Sequence, residues 1–322
     1  MLLSLVAVLL VPAVPLFRVL LPVEQAIVLL APAFAVCALL GWWRGGRLSL
    51  ALVWLAVTVW ILVQPLPGVG GYDRLARGWA LLLAASFGGL GLLRPSQAFF
   101  PRALAAVALS LTVGLAALVA AQVPPTHVRA TMAAEYERRV DDWSRTTDRI
   151  ANTPEWRAYA ERSPETLELL QQAEGQLRLL PQPSALVFPA LLALESLAVL
   201  ALAWALYQRL GRTRIGPPLA PLRAFRFSDT LIWGLVVGIT TLVVPTLADL
   251  RGLGLNLLVF FGALYVLRGL GVLTWILAPG RLATVLLIGV ALVAWPLLGA
   301  FAFGLGVGDT WLDWRNRARP IS

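Results

Sequence analysis

Apolar runs long enough to cross a membrane recur along almost the whole chain, and they leave few folds open. Candidate spans lie at about 1–20, 23–43, 48–66, 76–93, 100–121, 184–208, 229–249, 254–279 and 282–306. A helix of about 20 residues rises ~30 Å, the thickness of a bilayer's hydrocarbon core. No water reaches the backbone there, so its N–H and C=O groups must pair within helices or a closed barrel. A barrel would need strands that alternate apolar and polar residues, and these runs are apolar on every face. The expected class is therefore all-α: a polytopic transmembrane helical bundle of eight or nine spans with one extramembrane helical insert. Only 13% of residues are charged, which fits a lipid-facing surface far better than a water-facing one.

The spans divide the chain. Residues 1–121 carry about five N-terminal helices, 122–183 form the polar insert, 184–308 carry about four C-terminal helices, and 309–322 are a basic tail. Within the insert, Val128, Met132, Tyr136, Val140 and Trp143 fall three or four apart, which predicts one long helix with an apolar stripe. Thr153-Pro154-Glu155 and Ser163-Pro164-Glu165 each place a cap, a proline and a first-turn acid in order, which predicts two shorter helices. The insert's many alternating acids and arginines suit a solvated cap, or a lid over a site.

The net charge of +9 comes from arginine alone, since the chain has no lysine. A lysine Schiff base to a cofactor is thereby excluded. No basic patch interleaved with aromatics points to nucleic acid. The one cysteine, Cys37, lies in an apolar run and the one histidine, His127, in the insert. They provide neither an intrachain disulfide nor a His/Cys metal cluster, and no cofactor is expected. The N-terminal run lacks a basic start and reads as a retained helix rather than a signal peptide.

Arginines also set the expected orientation. Arg44 and Arg47, then Arg94 and Arg102, then Arg209, Arg212, Arg214, Arg223 and Arg226 fall in loops on one side, which the positive-inside rule makes cytoplasmic. The N-terminus is then cytoplasmic too. Nine crossings would put Arg315, Arg317 and Arg319 outside, against the same rule. Span two, broken by Pro32, and span nine, with Pro296, are the expected half-helices that resolve the conflict.

Two charges interrupt the apolar runs. Glu195 is centred between about Ser184 and Tyr207, and Arg268 between about Leu255 and Leu277. An ionisable group deep in a membrane costs several kcal/mol unless paired or hydrated, which makes each a candidate site. If their helices are neighbours the two sit within ~5 Å of one depth and form an ion pair. That pair either fixes helix register or anchors a solute. Tyr265 lies three residues before Arg268, on the same face; Asn256 lies on another face of the same run. These four residues make the expected intramembrane polar site, with no catalytic residue and no metal ligand.

Other motifs carry less. Gly234 and Gly238 form a GxxxG, which permits close helix packing or dimerisation. Several tryptophans fall near span ends, as in an interfacial belt. Gly306-Val307-Gly308-Asp309, Tyr72-Asp73 and Pro189-Ala190-Leu191 spell the motifs of intramembrane aspartyl proteases, but in the wrong chain order.

The tail Gly306-Val307-Gly308-Asp309-Thr310-Trp311-Leu312-Asp313-Trp314-Arg315, with Phe225-Arg226, Asn256 and Tyr265…Arg268-Gly269-Leu270 upstream, resembles the YybS-like family of bacterial membrane proteins. That family is distantly similar to the substrate-binding components of energy-coupling-factor vitamin transporters and to rod-shape membrane proteins. The resemblance implies a multi-pass inner-membrane protein without an assigned activity. The expected function is solute binding or a transport-associated role, not catalysis. The alternative is an envelope scaffold whose insert and tail dock partners. Expected partners are the lipid bilayer, other membrane or envelope proteins and a small solute.

Overall fold

The computed structural model describes residues 19, 23–65, 68, 71–156, 162, 165, 172, 174–278, 280 and 294–317, and every regular element among them is helical. The expected first span (apart from Val19), the first part of the ninth span, the helix expected at Ser163 (apart from Glu165) and the end of the tail lie outside the described residues. The chain divides into two compact units, one of residues 1–188 with 195–218, the other of 189–194 with 219–322.

The first unit begins with α1 (Val23–Trp43), α2 (Leu48–Val63), α3 (Tyr72–Leu93) and α4 (Phe99–Ala120). Helix α1 packs on α2 and α3, and α3 packs on α4. Pro32 does not break α1, which stays helical through all 21 residues, so the expected half-helix is instead a full one. A proline costs its helix one hydrogen bond, and the buried flanks Ala31, Ala33 and Phe34 hold the helix across it. Helix α5 (Pro125–Ala151) follows as the long insert helix that its apolar stripe predicts. Met132, Tyr136 and Val140 are buried against Val19, Tyr72, Leu177 and Ala185. The insert is thus packed onto the first turn of α3 and the start of α6 (Pro181–Leu210), rather than floating as a solvated cap.

The second unit holds α7 (Ile232–Val243), α8 (Arg251–Leu277) and α9 (Trp295–Leu312). The expected seventh span is broken: Val244 is extended before Pro245, and a short 3-10 turn leads into α8. Steric clash with a following proline ring drives that change. Pro296 lies in the first turn of α9, where a missing N–H is harmless, so it starts a helix rather than breaking one. The GxxxG serves internal packing: a Cβ on Gly234 would sit 2.1 Å from the Phe261 ring, and one on Gly238 would sit 2.9 Å from Leu258, both on α8. Small residues likewise let α8 and α9 touch backbone to backbone, since a Cβ on Gly306 would lie 1.9 Å from the Tyr265 carbonyl oxygen.

By length and composition, five helices among the described residues can cross a membrane, and three more, Leu48–Val63, Asp229–Val243 and Leu297–Leu312, are apolar but shorter. Trp42, Trp43, Trp60, Trp233 and Trp311 are exposed near helix ends, the placement of an interfacial belt.

Candidate functional site

In the first unit, α5 carries an arginine on its apolar face. Arg139 lies three residues after Tyr136 and seven after Met132, so it points with them toward the other helices. There its guanidinium is almost completely enclosed. Nε donates to Glu135 Oε1 at 2.9 Å, Nη1 to the Val19 carbonyl at 3.1 Å, and Nη2 to Gln25 Oε1 at 3.2 Å. The rings of Tyr72 and Tyr136 face it with centroids at 5.0 and 5.4 Å. Burial pushes the Glu135 carboxyl up, but hydrogen bonds and charge from Arg138 and Arg139 outweigh it and hold the group below the usual carboxylate range. Burial also raises the Tyr136 phenol, which therefore stays neutral.

Gln25 links this assembly to the intramembrane acid. Tyr72 and Arg139 both donate to its amide oxygen, the tyrosine at 2.5 Å. An arginine accepts nothing, so the amide NH2 must face the other way. It donates to Glu195 Oε2 at 2.5 Å. Glu195 is 7% exposed, and its other oxygen, Oε1, is buried with no hydrogen-bond partner among the described residues. The charge that acts on it is that of Arg139.

Glu195 lies at the middle of its helix. Helix α6 has 30 residues, about 45 Å of rise, more than a bilayer core needs. Glu195 accepts from Gln25, which accepts in turn from Tyr72, and these two lie in the first turns of α1 and α3. The carboxylate therefore sits near the end where those helices start, beneath α5.

In the second unit, Arg268 has acidic partners of its own. Its Nε donates to Asp309 Oδ2 at 2.9 Å, Nη2 to the Asp309 carbonyl at 3.2 Å, and Nη1 to Asp229 Oδ1 at 2.7 Å. Arg315 Nη2 also donates to Asp309 Oδ2, at 2.6 Å, and its Nη1 to the carbonyls of Arg223 and Phe225. Arg226 pairs with Asp313 and lies 3.9 Å from Asp309 Oδ1. Three arginines thus meet three aspartates. Tyr265 is fully buried and stands edge-on to Phe227, whose face the Arg268 guanidinium covers at 5.3 Å. The expected sharing of a face by Tyr265 and Arg268 holds. Asn256 serves elsewhere: its Oδ1 accepts from the Ala190 N–H, just after Pro189, and its Nδ2 donates to the Gly252 carbonyl.

Glu195 and Arg268, expected as an ion pair, thus each have partners within their own unit. Asp309 and Asp73, the acids of the protease-like motifs, are both in ion pairs, with Arg268 and Arg315 and with Arg77. Asp313 and Arg315 are bound to residues 223–226, so the tail begins at the end of this unit where α7 starts, and not at the opposite one. Sequence reading missed Gln25, Tyr72, Arg139, Asp229, Asp309 and Arg315. Arg139 was the findable one, an arginine placed on an apolar stripe.

Several apolar helices of spanning length, with ionisable residues held inside, define a polytopic helical membrane protein. The chain belongs to the family described as "Predicted membrane protein (DUF2232)", whose model matches residues 2–310. No curated protein and no solved structure matches it.

Proposed function

We propose that this protein binds a small polar solute within the membrane, as a solute-binding or transport-associated component without a catalytic step. One observation carries the reading: the Glu195 carboxylate is buried among helices with one oxygen unpartnered. A buried acceptor left without a donor costs about 1–3 kcal/mol, more when charged, and a fold keeps such a group where a ligand uses it. The anchor is Glu195, with Gln25 and Tyr72 orienting it and α5 covering it. Arg268, Tyr265 and Asn256 have partners in the second unit and hold it together.

The proposed setting is the bacterial inner membrane with the N-terminus cytoplasmic. Arg44 Nη1 donates to the Arg214 carbonyl and Thr213 to the Gly41 carbonyl, which brings two basic loops to one end of the first unit. That end would face the cytoplasm and α5 the outside.

The test uses the purified full chain in lipid nanodiscs, screened against small polar solutes by thermal stability. A solute that stabilises the wild type and not Glu195→Gln is expected. A library that stabilises both proteins equally, or neither, contradicts the reading.

A further inference from the structure

The site already holds a cation, and that cation belongs to the chain. Around the Arg139 guanidinium stand two tyrosine faces, an amide oxygen and a carboxylate. Aromatic faces and oxygen acceptors together are how proteins select organic cations. A second carboxylate, Glu195, lies one hydrogen bond further in, through Gln25, with its Oε1 buried and unpartnered. Among the described residues, Glu135 pairs with Arg139 and is shared with Arg138. The enclosure thus offers an acceptor, Glu195 Oε1, that its resident arginine does not use.

We infer that the solute is a small organic cation of the guanidinium class, and that Arg139 is its intramolecular stand-in, which the solute displaces on binding. This rests on the polar-site reading above and narrows it to one chemistry. The incoming cation takes the Tyr72 face and the Gln25 oxygen and reaches Glu195 Oε1 directly. Arg139 stays with Glu135, its neighbour on α5, and swings away with that helix. Losing the Arg139 bonds to Gln25 and Val19 frees α5 from the start of the bundle, so binding and opening are one event.

The probe is methylguanidinium chloride, with methylurea as the neutral analogue of similar shape and sodium chloride to match ionic strength. Two readouts are taken on the full chain in nanodiscs: binding by calorimetry, and amide hydrogen exchange across residues 125–151. In the wild type, methylguanidinium should bind and speed exchange in α5, and methylurea should do neither. In Arg139→Ala the cation should bind about tenfold or more tightly, because no internal competitor remains. Adding Glu195→Gln to Arg139→Ala should abolish that gain. A mere hole left by a deleted arginine would depend on Glu135 and be indifferent to Glu195, so retention of binding in the double variant overturns the inference. Equal binding of methylurea overturns the cation class and leaves the polar site standing. No binding of either probe to folded Arg139→Ala overturns both.

Discussion

The two units treat buried charge in opposite ways. In the second, Asp309 is flanked by Arg268 and Arg315, faces Arg226, and the cluster balances three cations against three anions. In the first, Glu195 has an amide for a partner and no arginine in contact among the described residues; its Oε1, like Asp309 Oδ1, accepts no hydrogen bond there. A balanced cluster fixes geometry, and breaking it strands charges in a place that cannot hydrate them. A carboxylate held off from any arginine costs stability as it stands, so its retention points to use. The comparison separates structure from site more sharply than depth in the membrane does.

The largest effect should come from the balanced cluster. Asp309→Asn leaves Arg268 and Arg315 without their shared carboxylate and should cost about 3–5 kcal/mol of unfolding free energy, measured by denaturant titration in mild detergent. Replacing Arg268, Arg315 and Asp309 together by apolar residues of similar volume should recover most of that loss. Next comes Glu135→Gln, which strands Arg139 against the tyrosines. A loss of about 2–3 kcal/mol, seen as faster proteolysis within residues 125–151, would confirm that α5 is held by charge as well as by its stripe.

Smaller still is the effect of crowding the contact between α8 and α9. Gly306→Ala should cost about 1–3 kcal/mol, because the new methyl meets the Tyr265 carbonyl and the two backbones must part. The pH dependence of α5 tests the same electrostatics without a mutation. Glu135 is held below its unfolded value, so its stabilisation is complete above that value and is lost as pH falls through the folded one. Amide exchange in residues 125–151, taken relative to the intrinsic rate at each pH, should therefore rise as pH drops below about 4, and Glu135→Gln should flatten the rise.

Hydropathy made the helical class and the α5 stripe legible, because both are periodic properties of consecutive residues. The two interrupting charges were also visible, but their partners were not. Asp309 lies 41 residues from Arg268 and Gln25 lies 170 from Glu195, separations that no local pattern encodes. Proline misled in both directions. Pro32 suggested a break and lies inside an intact α1, while Pro245 does interrupt the expected seventh span. The difference lies in what surrounds each ring, packed helix around Pro32 and an exposed turn around Pro245.

The most direct measurement sets Glu195→Gln beside Asp309→Asn, both in the full chain under one detergent and one pH. Each change swaps a buried carboxylate for its amide isostere. If Glu195 serves a ligand, its variant should match or exceed the wild type in stability, within about 1 kcal/mol, while Asp309→Asn unfolds far more readily. Should Glu195→Gln lose as much stability as Asp309→Asn, the carboxylate is a structural pin and the site it anchors does not exist.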